Sequence, residues 1–216
     1  METCEEKVKC AVIGNCDAGR TNLVNVFLGK DFERTWTPTV LSTDCKNLTI
    51  DKRNINVEIW DVASQTEYDR LRHFAFENAD VVLIAYSVVA SNEDRFKAED
   101  ALVSDSMTEV KQFFGKKLPP VILVGTKTDL RDKGSLERSL KKDYYHGVKL
   151  KTKIRAQRYV ECSALTDVQS CNQVLEAAVR EALKYKAHCQ APLELSSNSF
   201  SLPCFIGDGQ DQDTSR

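Results

Sequence analysis

The stretch that decides the fold is Gly14-Asn15-Cys16-Asp17-Ala18-Gly19-Arg20-Thr21. It matches the phosphate-binding pattern G-x-x-x-x-G-K-S/T, except that arginine replaces the lysine at position 20. Residues 7–13 before it have strand character, and residues 22–28 after it follow a helical pattern. The backbone N–H groups of such a loop form an anion site, and the Thr21 hydroxyl can coordinate magnesium. Taken alone, the stretch fits either a phosphate site or an ordinary glycine turn between a strand and a helix.

Outward from this loop, strand patterns alternate with helical patterns. Further strands are predicted at residues 45–50, 55–61, 81–87, 121–125 and 159–162, and helices at 67–76, 95–114, 135–142, 148–158 and 169–185. This alternation predicts an α/β fold with a six-stranded, mostly parallel sheet and helices on both faces. The short connection at residues 51–54 predicts a hairpin, so we expect one antiparallel edge.

Length and composition exclude several classes of protein. A chain of 216 residues fits one well-buried domain. Its formal net charge of -2 argues against a nucleic-acid partner, because nucleic-acid binding depends on basic patches. The eight cysteines form no close pair at metal-ligand or redox-motif spacing, so we expect reduced thiols. Without a secretion signal or an apolar run near the ~20 residues of a membrane span, we expect a cytoplasmic protein.

Two further motifs follow later predicted strands. The first, Val124-Gly125-Thr126-Lys127-Thr128-Asp129, ends in a carboxylate that can accept hydrogen bonds from the N–H groups of a guanine base. The second, Glu161-Cys162-Ser163-Ala164, follows the last predicted strand. Each fits an ordinary strand-to-helix loop, but the three motifs together, in this order, resemble the Ras superfamily of small GTPases.

Within that superfamily, the chain resembles the Rho family, and its Rac-like members, over about residues 8–183. The matching segments are Pro38-Thr39-Val40, Glu67-Tyr68-Asp69-Arg70-Leu71-Arg72, Ala79-Asp80-Val81-Val82-Leu83-Ile84, residues 124–132 and residues 159–166. The resemblance implies the small G-protein fold of the P-loop NTPases and a guanine-nucleotide-binding signalling switch, acting on the actin cytoskeleton and cell shape. The alternative is a pseudo-GTPase, an interaction module that has lost nucleotide cycling. Residues 1–186 would form the GTPase domain, with a shortened Rho-type insert around 131–146, and residues 187–216 a flexible tail.

The resemblance implies GTP or GDP and Mg²⁺ as cofactors, and a role for each matching residue. The nucleotide would contact Gly14, Asp17, Ala18, Gly19, Arg20, Thr21, Asn22, Phe32, Thr39, Ser64, Thr126, Lys127, Asp129, Ser163 and Ala164. Within this set, Phe32 would pack against the base, Lys127 would lie along its plane, and Asp129 would specify guanine. Magnesium would be held by Thr21, Thr39 and, through water, Asp61. Gln65 would orient the attacking water, and Arg20 would stand at the terminal phosphates.

Three positions depart from the family in ways that predict slow or impaired GTP hydrolysis. The planar fork of Arg20 does not fit the space of a lysine ammonium without moving the loop. Cys16 replaces a glycine that leaves room for the catalytic glutamine and a partner's arginine finger, although a cysteine that merely fills a tolerant turn stays an alternative. Ser64 replaces the glycine of the Asp-x-x-Gly motif, which predicts weakened switching.

The partner surface and the tail also depart from the family. Effectors would bind the segment 36–41, which begins at Trp36 and ends at Leu41, and the segment 67–72, from Glu67 to Arg72. Exchange factors and GTPase-activating proteins are the other implied partners. The chain as given ends in Asp-Thr-Ser-Arg without a Cys-a-a-X signal, so we expect no prenyl anchor and at most weak association with the plasma membrane. Acylation of Cys189 or Cys204 stays open.

Overall fold

The computed structural model describes residues 6–35, 38–89, 93–131 and 138–190. Its strands are β1 (Glu6–Gly14), β2 (Leu41–Ile50), β3 (Arg53–Val62), β4 (Val81–Ser87), β5 (Val121–Thr126) and β6 (Arg158–Glu161). Their order across the sheet is β2-β3-β1-β4-β5-β6, and every neighbouring pair is parallel except β2 with β3. The structure therefore confirms the predicted six-stranded, mostly parallel sheet with its antiparallel edge.

Helices cover both faces of this sheet. Within the described ranges they are α1 (Arg20–Phe27), α2 (Asp69–Phe76), α3 (Glu93–Phe114), α4 (Arg138–Ile154) and α5 (Val168–Gln190). Helices α1 and α5 pack on one face around a core that includes Leu23 and Val174. Helices α2, α3 and α4 pack on the other, around Phe76, Met107 and Ile154. Strands β4 and β5 are apolar almost throughout because helices bury them on both sides.

Helix α4 differs from the sequence prediction, which had two helices at residues 135–142 and 148–158. One helix instead runs from Arg138 to Ile154 and contains Gly147. A Cβ atom at Gly147 would lie only 2.0 Å from Cζ of Tyr159, so the glycine marks a close approach of the helix to this ring and not a helix end. Residues 132–137 of the predicted insert lie outside the described residues.

The chain beyond residue 186 begins as helix. Helix α5 continues to Gln190, past Ala187, where the sequence placed the start of the tail. Residues 191–216, with Cys204, lie outside the described residues. In the part of the chain that the structure describes, no helix has the length and apolar character needed to cross a membrane.

One edge of the sheet carries the predicted site residues. Strand β1 runs parallel to β3 and β4, and β5 runs parallel to β4 and β6. The carboxyl ends of these strands therefore lie at this edge. Ligands in open α/β sheets bind at this kind of edge. The three motif loops follow β1, β5 and β6 there, and Asp61 lies near the end of β3.

Candidate functional site

The loop after β1 requires glycine at both of its ends. Gly14 has φ 140°, and a Cβ atom there would lie 2.0 Å from the carbonyl oxygen of Ala85 on β4. Gly19 has φ 75° and caps α1 without a side-chain hydrogen bond to the helix. Gly19 therefore caps none of the first backbone N–H groups of α1. Uncapped N–H groups at the start of a helix can bind an anion.

A cavity of about 270 Å³ opens in front of this loop. The sequence-predicted residues Phe32, Thr39, Ser64 and Gln65 line it together with loop residues 15–22. These side chains come from four separate parts of the chain, and the fold brings them to one place. The phosphate-binding interpretation of the loop gains support here over that of an ordinary glycine turn.

Thr21 and Thr39 line this cavity, and a hydrogen bond joins Thr21 to the buried carboxylate of Asp61. Thr21 Oγ1 donates to Asp61 Oδ2 at 2.8 Å and lies 3.1 Å from Thr39 Oγ1. Asp61 is only 1% exposed, and its Oδ1 has no hydrogen-bond partner among the described residues. Burial raises the pKa of Asp61, while the charge of Arg20 and the hydrogen bond from Thr21 act against that rise.

This oxygen set fits magnesium. Hydroxyl and carboxylate oxygens are the ligands that Mg²⁺ prefers, and the orphaned Asp61 Oδ1 is a buried acceptor to which a cation or its water could bind. Within the described ranges no group of three His, Cys, Asp or Glu side chains could form a metal cage. A cation here would therefore need further oxygens from a ligand, as Mg²⁺ commonly does with phosphates.

The guanidinium of Arg20 turns toward protein acceptors. Its Nη1 donates to the carbonyl oxygen of Gly14 at 3.0 Å and to that of Val62, while its Nε lies 3.7 Å from Asp61 Oδ1. Burial lowers the pKa of Arg20, and the neighbouring Asp61 opposes this. The residue expected at terminal phosphates thus links the ends of β1 and β3 while it lines the cavity.

The side chain of Cys16 approaches the loop that follows β3. Its Sγ lies 3.6 Å from Oγ of Ser64, and both residues line the cavity. Gln65, the next residue, is exposed and lines the same cavity. Two of the positions that depart from the family pattern are therefore in contact with each other at the side of the cleft where Gln65 lies.

Sequence reasoning missed the role of Arg72 and assigned it to the partner surface. In the structure Arg72 is only 4% exposed, so that assignment is wrong. Its Nη1 donates to the carbonyl oxygens of Ala63 at 2.8 Å and Gln65 at 2.7 Å, and its Nε donates to Glu109 Oε1 at 2.7 Å. The arginine is buried because these loop carbonyls and the α3 carboxylate satisfy it. In the other predicted partner segment, Trp36 and residue 37 lie outside the described residues. Leu41, at the end of that segment, is exposed.

A second cavity of about 230 Å³ adjoins the first and shares Gly19, Asn22, Phe32 and Lys127 with it. The predicted base residues Thr126, Asp129 and Ala164 line it. Phe32 lines both cavities, so it lies where the two adjoin. The two cavities together place the predicted base site and the predicted phosphate site side by side.

Two polar side chains of the second cavity, Asp129 and Lys127, are held by residues outside its lining. Ser163 is buried, and its Oγ donates to Asp129 Oδ1 at 2.5 Å and accepts from the backbone N–H of Thr166 at 3.1 Å. Lys127 adopts the left-handed conformation with φ 61°, and its Nζ donates to Asp17 Oδ1 at 2.8 Å. Its stem passes over Gly19, where a Cβ atom would meet Lys127 Cε at 3.5 Å. The lysine thus bridges the second motif and the glycine loop.

Further contacts join the motif loops, and sequence reasoning did not find them. Arg131 donates to both carboxylate oxygens of Glu161 at 2.6 Å each, so the loop after β5 is tied to the end of β6. Thr126 Oγ1 lies 2.5 Å from the carbonyl oxygen of Ala18 and also contacts that of Tyr86 at 2.9 Å. The residues of each pair are far apart in sequence, so no local sequence pattern predicts these contacts.

Asn22 holds the segment that carries Phe32. Its Nδ2 donates to the carbonyl oxygen of Glu33 at 2.9 Å, and its Oδ1 accepts from the backbone N–H of the same residue at 2.8 Å. The sequence suggested Asn22 only as a nucleotide contact. The structure shows that its amide is a clamp on the backbone next to Phe32.

Comparisons with known proteins agree with this geometry. A sequence model of the Ras family matches residues 9–184. The chain is 34% identical to the Rho-related GTP-binding protein RhoD of Homo sapiens over 163 residues, which are 73% of this chain and 74% of that protein. It is 33% identical to the GTP-binding protein rho5 of Schizosaccharomyces pombe over 191 residues, which are 85% of this chain and 92% of that protein.

A third relative is the GTP-binding protein RHO1 of Candida albicans, 32% identical over 188 residues, which are 84% of this chain and 91% of that protein. The match to the Ras-family model spans the phosphate loop, both base motifs and all strands of the sheet except the first residues of β1. The chain belongs to the Rho family of small GTPases, within the Ras superfamily of guanine-nucleotide-binding proteins.

Proposed function

We propose that this chain is a Rho-family switch that binds GTP and GDP with Mg²⁺ and hydrolyses GTP slowly. The observation that carries the proposal is the cluster of Thr21, Thr39 and Asp61, in which the two threonines line the phosphate-side cavity and Thr21 donates to Asp61. This cluster lies next to a base-side cavity lined by Asp129. The hydroxyls and the buried carboxylate would hold the ion, directly or through water. The ion would supply positive charge to the phosphates, and the chain's own residues would position them.

Guanine selection follows from the orientation of Asp129. Ser163 donates to one carboxylate oxygen, which holds the group in place and keeps its other oxygen free of that bond. A fixed carboxylate accepts from the two N–H donors of guanine, and adenine does not offer that pair. Phe32 and Ala164, which line the same cavity, supply apolar contact to the base.

Slow hydrolysis is supported by Cys16. The γ-phosphate of GTP and an attacking water must lie between the glycine loop and Gln65, and the thiol reaches toward Ser64 in that space. An inserted arginine finger would have to pass the same thiol. Gln65 lines the cavity, so some capacity to orient water remains.

The switch would act through effectors that contact exposed residues around the cleft. Leu41 at the start of β2 and residues 67–71 near the start of α2 are candidates, whereas the buried Arg72 is excluded. Membership of the Rho family supports control of the actin cytoskeleton and cell shape as the process. Exchange factors and GTPase-activating proteins are the regulators that such a switch needs.

A pseudo-GTPase is the second candidate, and one observation favours it. Both cations expected at the nucleotide, Arg20 and Lys127, pair with the chain's own carboxylates, Asp61 and Asp17. A nucleotide would have to compete with these contacts or use the remaining N–H groups. The chain in this case would keep the fold as a protein-binding module.

Isothermal titration of the nucleotide-stripped protein separates the two candidates. The protein is titrated with GDP and with a non-hydrolysable GTP analogue, each with magnesium and with EDTA, and ADP serves as the specificity control. The switch requires guanine binding that magnesium strengthens. Absence of guanine binding at high nucleotide concentration, in a protein that unfolds cooperatively, would establish the pseudo-GTPase instead.

A further inference from the structure

The contact between Arg20 and Asp61 places a permanent cation beside the carboxylate expected to serve the metal. Arg20 Nε lies 3.7 Å from Asp61 Oδ1, and both side chains are nine-tenths or more buried. Nη1 is anchored on the carbonyl oxygens of Gly14 and Val62, so the guanidinium cannot swing away without losing both hydrogen bonds. The positive charge is therefore fixed by the ends of β1 and β3.

We propose that Arg20 takes over part of the charge-balancing role of Mg²⁺ at Asp61, so that nucleotide retention in this chain depends only weakly on magnesium. The inference rests on the proposed nucleotide site and concerns its regulation. A buried carboxylate and the phosphates repel one another when no cation lies between them. A guanidinium held next to the carboxylate reduces that repulsion after the metal has left.

Lysine at position 20 would not do the same. Counted along the side chain, Arg Nε takes the place of the lysine ε-carbon, so a lysine variant would present a methylene group to Asp61 Oδ1. The lysine ammonium would lie near the place of Cζ, as one compact charge that the two backbone carbonyls and the phosphates compete for. The charge of arginine is spread over the fork, and its Nε edge still faces Asp61.

The orphaned oxygen of Asp61 supports this difference. Oδ2 receives the Thr21 hydroxyl, whereas Oδ1 has no hydrogen-bond partner among the described residues and has the Arg20 Nε as its ion-pair partner. When magnesium binds, Oδ1 gains a second cation or its water. When magnesium leaves, the lysine variant would have a buried carboxylate oxygen without a facing cation, which is costly, and the arginine chain would not.

The test measures release of GDP that carries a fluorescent label on its ribose. The labelled complex is chased with excess unlabelled GDP, once in magnesium and once in EDTA, and the ratio of the two rates is the readout. We expect chelation to speed release from the unmodified chain by less than about tenfold. In Arg20→Lys the ratio should be at least about fivefold larger than in the unmodified chain. A fivefold effect is the lower end of the usual coupling between two ligands, here magnesium and the nucleotide.

Two further variants separate charge from geometry. Arg20→Gln keeps an N–H near the position of Nε but has no charge, so its ratio should rise as in Arg20→Lys. Arg53→Lys makes the matched change at an exposed arginine at the start of β3, outside both cavities, and its ratio should equal that of the unmodified chain. Equal ratios in the unmodified chain and both Arg20 variants, or a large ratio in the unmodified chain itself, would overturn the inference while nucleotide binding stands. Failure of the unmodified chain to hold labelled GDP in magnesium would overturn the proposed function together with it.

Discussion

The hydroxyl of Ser163 donates a hydrogen bond to the carboxylate of Asp129, with 2.5 Å between Oγ and Oδ1. The two residues belong to different motifs, one after β5 and one after β6, so this bond joins the two motif loops beside the base-side cavity. Ser163 is itself held by the backbone N–H of Thr166. The carboxylate is therefore oriented before any ligand binds, which reduces the entropy lost on binding.

Asp129→Asn should lower guanine affinity by about 10- to 100-fold and shift the preference toward xanthine nucleotides. An amide accepts at one atom and donates at the other, so it leaves one guanine donor unpaired and can donate to the xanthine carbonyl. Competition of GDP and xanthosine diphosphate for the labelled nucleotide site measures this. Asp105→Asn, at an exposed position of α3, is the control and should bind as the unmodified chain does. A guanine preference that survives in Asp129→Asn would refute the base-site assignment.

Cys16 should report occupancy of the phosphate-side cavity through its reaction with a thiol reagent. It is exposed and lines the cavity, so a bound GTP analogue should slow its alkylation more than GDP does, because the γ-phosphate lies nearest to it. Mass spectrometry of the labelled peptides gives the rate at each cysteine. Cys45, exposed on β2, should label at the same rate in all states. Cys10 should stay unlabelled because burial raises its pKa to about 12.

The sheet and the three loops could be predicted because their signals are local. The apolar runs at β4 and β5, the glycine spacing from Gly14 to Gly19, and the acidic end of the second motif are each read within a few residues. The long-range pairings could not be predicted. The family resemblance assigned Arg72 to the partner surface, and only the fold shows that the carbonyls of the preceding loop bury it. The single helix across residues 143–147 was not predicted either, because the close approach of Gly147 to the ring of Tyr159 is not visible in a local pattern.

Glu161→Gln should weaken both folding and guanine binding. Glu161 accepts two hydrogen bonds from Arg131 in a nearly buried pair, and this pair joins the loop with Asp129 to the loop with Ser163. Loss of the charge removes the Glu161 carboxylate from its bidentate contact with a nearly buried guanidinium, which we expect to cost about 1–3 kcal/mol of unfolding free energy. Urea unfolding and GDP titration measure the two effects.

The matched control for this pair is Glu176→Gln on α5, where the carboxylate pairs with Arg180 at an exposed i,i+4 position. Exposed ion pairs within a helix contribute little to stability. The stability and the GDP affinity of this variant should therefore both equal those of the unmodified chain within error. Equal behaviour of the Glu161 and Glu176 variants would show that the Arg131 contact does not position the base loops.

Gly147→Ala should destabilise the fold by about 1–3 kcal/mol, because its Cβ would overlap the Tyr159 ring. The sign of the change in unfolding free energy tells whether the close contact exists. Alanine in place of an ordinary helical glycine would instead stabilise the fold by about 0.5–1 kcal/mol. Denaturant unfolding of the variant measures it. Lys149→Ala, at an exposed position of the same helix, should stay within about 0.5 kcal/mol. A stabilised Gly147→Ala protein would show that the helix and the ring are not in close contact in solution.

GTP hydrolysis by the unmodified chain should be slow, and a Rho-directed GTPase-activating protein should stimulate it by less than about tenfold. An arginine finger normally contributes on the order of 10³–10⁵ in rate. In the proposed site, Cys16 would stand where that finger and Gln65 meet the γ-phosphate, and its thiol lies 3.6 Å from Ser64 Oγ. Arg20 adds a second defect, because its guanidinium is engaged by Gly14, Val62 and Asp61.

Single-turnover hydrolysis separates the two causes when Cys16→Gly and Arg20→Lys are measured with and without the activating protein. If the thiol obstructs the finger, Cys16→Gly should raise the stimulated rate by on the order of 10² or more and change the intrinsic rate much less. Arg20→Lys should act mainly on nucleotide affinity, because it returns a compact ammonium to the phosphates. Cys45→Ser is the matched control for loss of an exposed thiol and should change neither rate. Strong stimulation of the unmodified chain would show that the loop accommodates cysteine, and the cause of any slow intrinsic hydrolysis would then lie at Arg20 or Ser64.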